Sequence, residues 1–310
     1  MKTMTRRWGA IAAASALALG LAACAPTAEE PTDDGAATEW PEEIVLGLVP
    51  SQEVDQLVLD AEVLGDLLSE ELGITVRAEV TDSYNALVVA MQSGQAAIGM
   101  FGPIALVQAA DQAGAEPILQ SVRFGSSTYV TQWFTNDPDR FCETEVVLDE
   151  DGFAFCNGVL DAETGPVGES ALALIEQDEA ISFVDEGSAS GYYYPATQLE
   201  EAGLDPFALS GSFFAGGHPN SVLSVARGDA TVGVSFNDAR GNVVEELPTV
   251  GEDVVVFAWS TAIPNDGVAV AGDLPQDLKD AITEAFLAIA DSEEGLAALD
   301  AVYSIEGLVP

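Results

Sequence analysis

The sequence predicts an α/β protein with two lobes. Short apolar segments, typical of buried strands, alternate with amphipathic segments of helical periodicity along most of the chain. Hydrophobic residues make up 48% of the sequence. About 270 residues follow a short N-terminal segment, and this length can bury two separate cores. We therefore expect two sheets of mostly parallel strands with helices on both faces.

The first half of the chain repeats a unit of one strand and one helix. The apolar run before Pro50 is typical of a strand buried on both faces. Apolar residues then recur every three or four positions up to Leu72, where Gly73 is placed to end a helix. Asp82 or Ser83 can cap the next helix. These patterns predict strands at 44–50, 74–80 and 96–101, and helices at 54–72, at 83–94 and from Pro103 onward.

The second half continues the same alternation. Apolar runs of strand length recur, and each is bounded by glycine, proline or acidic residues. A final acidic helix from Pro275 to Ala290 is expected to pack back on the first lobe. The predicted strands of this half lie at 146–148, 153–155, 181–184, 232–236 and 254–259.

The N-terminal segment predicts export and lipid attachment. Three basic residues precede an uncharged run rich in Ala and Leu, the layout of a cleavable signal over residues 1–23. The run ends in Leu-Ala-Ala-Cys, which resembles the lipobox of bacterial lipoproteins, so Cys24 is predicted to carry a lipid. A plain secretory signal with an incidental Cys24 is the alternative. Residues 24–41, rich in Ala, Pro, Thr and acid, are predicted to form a disordered tether.

The charge balance narrows the possible partners. The chain has 52 acidic and nine basic residues, and its formal net charge is −43. Such a surface argues against nucleic acid or anionic lipid as a partner. Adaptation to salty surroundings or an acid-rich docking face would each explain the acidity, and the sequence leaves both open. No second long apolar run is present, so a membrane channel is not expected.

Two cysteines remain after Cys24. An oxidising compartment outside the cytoplasm favours a disulfide between Cys142 and Cys156. The alternative, a zinc site, would need a nearby His or further Cys, and the sequence places none there. We therefore expect a disulfide, no metal site and no cofactor.

The segment Glu186 to Pro195 reads Glu-Gly-Ser-Ala-Ser-Gly-Tyr-Tyr-Tyr-Pro, and it joins a predicted strand to a predicted helix. Small hydroxyl residues and glycines at a helix start leave several N–H and O–H groups facing outward, which is an arrangement that binds anions. Ordinary capping of the helix by one serine is the competing interpretation. Ser188 and Ser190 are the candidate hydroxyl donors.

The only histidine of the chain stands at a second helix start. His218 precedes Pro219 and lies about 30 residues after the serine segment. A single histidine is more often structural than functional. Like the serine segment, however, His218 lies where a predicted strand leads into a predicted helix. It can therefore donate to the same anion, and we expect its positive charge to assist that hydrogen bond.

These motifs resemble those of the phosphonate, phosphite and phosphate binding proteins of ABC transporters, which are type II periplasmic solute receptors. The resemblance covers nearly all of the chain after the signal. The motifs that carry it are Leu48-Val49-Pro50-Ser51, Tyr84-Asn85-Ala86-Leu87, Phe101-Gly102-Pro103, Tyr129, Ser188-Ala189-Ser190-Gly191-Tyr192, Gly217-His218 and Ile263-Pro264-Asn265-Asp266.

The resemblance implies a set of ligand-binding residues. The anion would be held by Ser188, the backbone of Ala189, Ser190 and His218, with Tyr84 and Tyr129 facing it from the first lobe. Carboxylates that bind an aminophosphonate amine would fall at Asp238 and Asp266. Ala189 departs from the family, where Thr is common. No Lys or Arg lies in the serine segment, so we expect the oxyanion to be bound without a protein cation.

The resemblance also implies the organisation and the partners. The lobes would close over one ligand, and the closed form would dock as a monomer on a membrane permease driven by an ATPase, at the outer face of the cell membrane. Lobe 1 would comprise 42–130 plus 258–310 and lobe 2 would comprise 131–257, with a cysteine-containing insertion near 140–178 and crossings near Tyr129 to Thr131 and Val254 to Trp259.

Two other functions stay open. A receptor of the same fold could bind another small oxyanion or a vitamin precursor. A surface serine hydrolase could use Ser188 or Ser190 with His218, but Ala189 occupies the position of the nucleophile in the hydrolase pattern Gly-x-Ser-x-Gly. We therefore expect a binding protein rather than an enzyme.

Overall fold

The computed structural model describes residues 40–162 and 164–310. The predicted signal 1–23, the predicted lipid attachment at Cys24 and nearly all of the predicted tether 24–41 lie outside these residues. Within the described ranges, no helix is long and apolar enough to cross a membrane.

The strands form two large sheets and one short ribbon. In chain order they are β1 (Glu43–Leu48), β2 (Thr75–Val80), β3 (Ile98–Phe101), β4 (Glu116–Val122), β5 (Thr128–Tyr129), β6 (Thr131–Thr135), β7 (Val147–Leu148), β8 (Ala154–Phe155), β9 (Ile181–Phe183), β10 (Phe213–Phe214), β11 (Val232–Phe236), β12 (Val255–Trp259), β13 (Ile263–Pro264), β14 (Gly267–Val270) and β15 (Gly307–Val309).

The helices cover the faces of these sheets. They are α1 (Val54–Leu72), α2 (Tyr84–Gln92), α3 (Pro103–Ala113), α4 (Pro138–Phe141), α5 (Tyr194–Glu201), α6 (His218–Ala226), α7 (Val250–Asp253), α8 (Gln276–Ala290) and α9 (Glu293–Tyr303). A π-helical turn, Ala189–Tyr193, leads directly into α5, and 3-10 turns occupy Glu169–Leu174, Pro206–Ala208 and Ala239–Val243.

Each large sheet belongs to one lobe, and both sheets are mixed. The first sheet has the order β15-β4-β14-β3-β1-β2, and the second has the order β10-β9-β11-β6-β12-β8-β7. The prediction of mostly parallel sheets is wrong, because β14 runs antiparallel to β3 and β4, and β6 runs antiparallel to β11 and β12. The chain reaches β6 and β14 directly from the other lobe. Each of these strands therefore begins at the side of its sheet where the parallel strands end, and it runs in the opposite direction.

A two-stranded ribbon joins the lobes. In it, β5 pairs antiparallel with β13, and Tyr129 lies opposite Ile263. The second crossing follows Trp259, whereas the sequence predicted it near Val254 to Trp259. Val255 to Trp259 instead form β12, which lies between β6 and β8 in the second sheet.

Local sequence signals explain the helix ends. The bounds of α1 match the prediction, and Gly73 ends it in the left-handed region with φ of 69°. Ser83, not Asp82, caps α2 by accepting a hydrogen bond from the Ala86 N–H at 3.1 Å. The end of α1 and the start of α2 are thus determined by a glycine and by a serine, as the sequence indicates.

The C-terminal part contains one helix that the sequence did not predict. As expected, α8 packs on the first lobe through Ile282 and Phe286. A further helix, α9, follows and buries Leu299 and Val302 in the same core. Its cap is Ser292, whose Oγ accepts from the Gly295 N–H at 2.9 Å. This helix matters for the site because its last residue reaches the space between the lobes.

The predicted disulfide is present. Cys142, at the end of α4, is bonded to Cys156, next to β8, with their Cα atoms 5.6 Å apart. Cys156 lies in the core of the second lobe. The bond therefore ties the end of α4 to the edge of the second sheet, within the predicted insertion near 140–178.

We expect loss of this disulfide to lower the free energy of unfolding. Closing a loop of about 15 residues contributes on the order of 3 kcal/mol in the chain-entropy model. The double variant Cys142→Ser/Cys156→Ser should lose about this amount in urea unfolding. Reduced wild-type protein, measured alongside, should lose a similar amount. A variant as stable as the oxidised protein would contradict this role of the bond.

Candidate functional site

A small cavity lies between the two lobes, where the carboxyl ends of several strands meet. This is the edge at which open α/β sheets bind ligands. The space open to the centre of a water molecule is about 20 Å³. A single water needs roughly 10–15 Å³ of such space, so the closed cavity suits a compact ligand. Its lining comprises Val49, Ser51, Gln52, Tyr84, Gly102, Arg123, Tyr129, Ser188, Ala189, Ser190, His218, Phe236, Asp266 and Tyr303.

The serine segment forms one wall of this cavity. Ser188, Ala189 and Ser190 are each at most 2% exposed. The Ser188 Oγ accepts from the Gly191 N–H at 3.0 Å and so caps the π-helical turn, while its own O–H is a hydrogen-bond donor beside Tyr84. Ser190 is not used as the cap. The first N–H groups of a helix have no partner within it, so the backbone adds further donors at this wall.

His218 stands beside the serine wall at the first turn of α6. Its Nδ1 lies 2.7 Å from the Ser235 Oγ. Burial, assisted by the nearby Arg123 charge, lowers the pKa of His218 to about 3. The prediction that His218 carries a positive charge is therefore wrong at neutral pH. With Nδ1 accepting from Ser235, the neutral ring keeps a hydrogen on Nε2 that it can donate to an anion.

Three tyrosines close the cavity from the side of the first lobe. Tyr84 begins α2, Tyr129 belongs to the ribbon between the lobes, and Tyr303 ends α9. Burial, followed by the negative charge of Asp266, raises the pKa of the Tyr129 hydroxyl above its ordinary value. The pKa of Tyr84 is raised by the same two causes. Both hydroxyls therefore stay protonated at neutral pH and can donate.

Arg123 is a charged residue of the cavity that the sequence did not predict. It follows β4, is only 5% exposed and lines the cavity. Its guanidinium lies 4.8 Å from the ring centre of Phe236, and its Nη1 lies 3.7 Å from the Asp266 Oδ2. Its Nε is buried without a partner among the described residues. The expectation of a site without a cation is therefore wrong.

The two predicted carboxylates are placed differently. Asp266 lines the cavity beside Arg123. Burial raises the pKa of the Asp266 carboxyl, and the charge of Arg123 opposes this shift. Asp238 lies outside the lining, since its carboxylate accepts from the Nε and Nη2 of Arg240. Arg240 is fully buried and needs this counter-charge, so the predicted ligand role of Asp238 is not supported.

Comparison with known proteins agrees with this geometry. The family model described as "ABC transporter, phosphonate, periplasmic substrate-binding protein" matches residues 46–310. The chain belongs to this family. The resemblance seen in the sequence motifs is thereby confirmed, and the match extends over both lobes.

Individual relatives are more distant. The phosphate-import protein PhnD of Mycolicibacterium smegmatis is 25% identical over 271 residues, covering 84% of this chain and 76% of that protein. A binding protein component of an ABC phosphonate transporter from Pseudomonas aeruginosa has a TM-score of 0.69 at 18% identity, covering 86% of this chain and 80% of that one. PhnD1 from Prochlorococcus marinus in complex with methylphosphonate has a TM-score of 0.69 at 18% identity, covering 87% and 92%. These structures confirm the type II periplasmic-binding-protein fold.

Some site residues of this family member could have been found from the sequence. Only six of the nine basic residues lie after the signal, so each of them could have been considered as a ligand for the anion. Arg123 was the strongest candidate, because it stands only six positions before the predicted ligand residue Tyr129. Ser51 and Gln52 directly follow the predicted first strand 44–50, at the edge where ligands bind. Tyr303 could not be assigned, because it depends on the unpredicted helix α9. Among the described residues, no group of His, Cys, Asp and Glu could hold a metal ion.

The neutral state of His218 predicts a pH effect on the unliganded protein. A base whose pKa falls on folding stabilises the fold above its ordinary pKa, here 6.5, and this contribution is lost as the pH falls toward the folded value of about 3. Between about pH 6.5 and about pH 5, the loss is about 1.5 kcal/mol, because the unfolded imidazole is already half protonated at pH 6.5. Wild type should therefore lose about this much more stability than His218→Gln over that interval in urea unfolding.

The comparison with His218→Gln isolates the effect of this one residue. The raised pKa values of Asp185 and Asp266 act in the opposite direction on acidification, but both residues are present in both proteins. Equal pH slopes for wild type and the variant would mean that His218 is not held neutral.

Proposed function

We propose that this protein captures a compact phosphorus oxyanion between its lobes and delivers it to the permease of an ABC importer. The observation that carries the proposal is the juxtaposition of the serine wall with Arg123 in one closed cavity. Ser188, Ser190 and the N–H groups of the π-helical turn supply donors from the second lobe. Arg123 supplies the single positive charge from the first lobe.

The donors can offset the cost of removing the anion from water. Hydrogen bonds to charged groups contribute roughly 1.5–3 kcal/mol each, and the lining offers the two serines, His218, Tyr84 and Tyr129 in addition to Arg123. The acidic surface repels anions at long range, but salt screens exposed charges beyond a Debye length of about 10 Å. Local donors therefore govern binding, whereas the distant acids govern solubility.

The geometry favours an oxyanion without an amine over an aminophosphonate. An ammonium group needs a free carboxylate, but Asp238 is held by Arg240 and Asp266 lies next to Arg123. The small cavity leaves little room for a long substituent. Relatives named for phosphate import or found with methylphosphonate support the same ligand class. Phosphate, phosphite and methylphosphonate are therefore the proposed ligands.

The arrangement supports binding rather than hydrolysis. A serine nucleophile needs a base within hydrogen-bonding distance. The ring of His218 bonds to Ser235, which lies in β11 outside the lining, rather than to Ser188 or Ser190. Homologous proteins of this family are binding components of transporters.

We propose that the two lobes, 42–130 plus 260–310 and 131–259, close over the ligand by bending at the ribbon. Polar bonds already join them in the closed form. The backbone N–H of His218 donates to the Ser51 carbonyl at 3.0 Å, and the Asn242 side-chain amide donates to the Gln52 Oε1 at 2.6 Å. A few such contacts can hold a closed state that the ligand then favours.

The remaining part of the proposal concerns location. We propose that the chain acts as a monomer on the outer face of the cell membrane, anchored through a lipid on Cys24. The tether would keep the lobes within reach of the permease and its ATPase. Cells expressing the protein and grown with labelled palmitate should incorporate label into wild type and not into Cys24→Ser. Label retained in that variant would contradict the anchor.

Calorimetric titration tests the ligand class. The panel comprises phosphate, phosphite, methylphosphonate, 2-aminoethylphosphonate and sulfate. We expect binding of at least one of the first three with a dissociation constant in the micromolar range or below, which corresponds to about −8 kcal/mol. The aminophosphonate should bind more weakly than methylphosphonate. The absence of binding to every phosphorus anion would refute the proposed function.

A further inference from the structure

We propose that Gln52 is the gate that limits the size of the bound oxyanion. Its side chain separates the closed ligand cavity from a groove on the surface, and it thereby excludes phosphonates whose substituent is much longer than a methyl group. This inference rests on the proposed function and deepens it. It assigns Gln52 a role in specificity, and it names phosphonates with a terminal ammonium group as the ligands that this side chain keeps out.

A groove between the two lobes lies next to the ligand cavity. It offers about 250 Å³ of open space, compared with about 20 Å³ inside the cavity. Its lining comprises Gln52, Glu53, Gln56, Leu57, Asp60, Pro219, Asn242, Ala301 and Ser304. Gln52 lines the ligand cavity as well. It is therefore the residue that the two spaces share.

The wall between the cavity and the groove is thin. At three places, a residue that lines the cavity is followed directly in the chain by a residue that lines the groove, namely at Gln52-Glu53, His218-Pro219 and Tyr303-Ser304. Two of these cavity residues are held by buried partners. The His218 Nδ1 lies 2.7 Å from the Ser235 Oγ, and the Tyr303 hydroxyl donates to the Val49 carbonyl at 2.7 Å. Gln52 is held differently, and it is only partly buried.

The Gln52 side chain bridges the lobes in the closed form. Its Oε1 accepts from the side-chain amide of Asn242 at 2.6 Å. This bond is exposed to solvent, so we expect it to contribute little net stability. Its effect is to hold the side chain across the boundary between the two spaces. Gln52 therefore excludes larger ligands mainly by the volume that it occupies.

The groove behind Gln52 carries negative charge. Glu53 and Asp60 belong to its lining, which contains no Lys or Arg. Both carboxylates accept from Gln56, Glu53 from its backbone N–H at 2.9 Å and Asp60 from its side chain at 2.9 Å. Neither forms an ion pair within the part of the chain that the structure describes. A substituent that reached the groove would thus be favoured there by an ammonium group.

Gln52→Ala should join the cavity to the groove. The substitution removes as many non-hydrogen atoms as a 3-aminopropyl group contains. In calorimetry of the full-length chain, wild type should bind 3-aminopropylphosphonate at least about 100-fold more weakly than methylphosphonate, because the larger group overfills a closed space. In Gln52→Ala this ratio should fall about tenfold or more. The ratio cancels any weakening of closure that affects both ligands equally.

Two variants and one further ligand serve as controls. Gln52→Met keeps the length of the side chain without its amide, so it should keep the wild-type ratio. Gln56→Ala widens the groove but does not touch the cavity lining, and it should also keep that ratio. Butylphosphonate has as many non-hydrogen atoms as 3-aminopropylphosphonate but lacks the charge. Gln52→Ala should therefore improve its binding less than that of the ammonium compound.

Several outcomes would overturn the inference while leaving the proposed function intact. One is an unchanged ratio in Gln52→Ala, and another is a wild type that binds both phosphonates equally well. A ratio that falls as far in Gln52→Met or in Gln56→Ala would mean that the volume of the Gln52 side chain is not the barrier. An equal gain for butylphosphonate would mean that the substituent does not reach the acidic groove. The absence of binding to any phosphorus anion would overturn the proposed function, and this inference with it.

Discussion

Replacing Arg123 with methionine is expected to weaken the binding of phosphate and methylphosphonate by about 100-fold or more, since it removes charge-assisted hydrogen bonds contributing roughly 1.5–3 kcal/mol each. The methionine keeps most of the packing against Phe236 but leaves Asp266 facing the anion without a counter-charge. The change should appear in calorimetry as a raised dissociation constant for every anion that wild type binds.

The control for this prediction is Arg77→Met. Arg77 lies on the edge strand β2, half-exposed, and pairs with Glu43 and Glu79 far from the cavity lining. This variant removes the same bulk charge and should bind as wild type does. If Arg123→Met binds phosphate within about threefold of wild type, then Arg123 is not the counter-charge of the ligand.

Gly187→Ala is expected to prevent full closure and to weaken binding by about 30-fold or more, as expected when several buried hydrogen bonds cannot form. A Cβ at Gly187 would lie 2.5 Å from the Cβ of Tyr84, which is fixed to the backbone and cannot rotate away. Because these residues belong to different lobes, the clash arises only when the lobes meet. The open form should keep its stability.

Small-angle X-ray scattering with saturating phosphate separates this effect from a simple loss of affinity. Wild type should contract on binding, whereas Gly187→Ala should stay expanded. Gly241→Ala is the matched control, because no atom lies within 4 Å of a Cβ added there. Contraction of Gly187→Ala to the wild-type dimensions would mean that close approach at Gly187 is not required.

Most helices and strands could be predicted from the spacing of apolar residues, because that spacing reflects which residues are buried. The period of apolar residues in α1 and the glycine after it determine both ends of that helix. Strand direction could not be predicted in the same way. The reversal of β6 and β14 depends on the path of the chain between lobes, which leaves no mark on the apolar pattern of either strand.

The site could be predicted in part for a similar reason. Ser188, Ser190 and His218 stand at helix starts, where a sequence motif and a backbone position coincide. Arg123 belongs to no such motif, since its role depends on where β4 and β14 end in space. Asp238 was predicted to bind the ligand only because of its position in the sequence. In the structure, Arg240, two residues later, binds its carboxylate. Only the folded turn shows that pairing.

A crystal structure determined from crystals grown with methylphosphonate tests most directly the claim that the cavity between the lobes binds a phosphorus oxyanion. The proposal predicts one anion in the cavity between the lobes, with its oxygen atoms within hydrogen-bonding distance of Ser188, Ser190 and His218 and with Arg123 beside it. Electron density for the anion at another place, or a cavity between closed lobes that contains only water at saturating methylphosphonate, would contradict it.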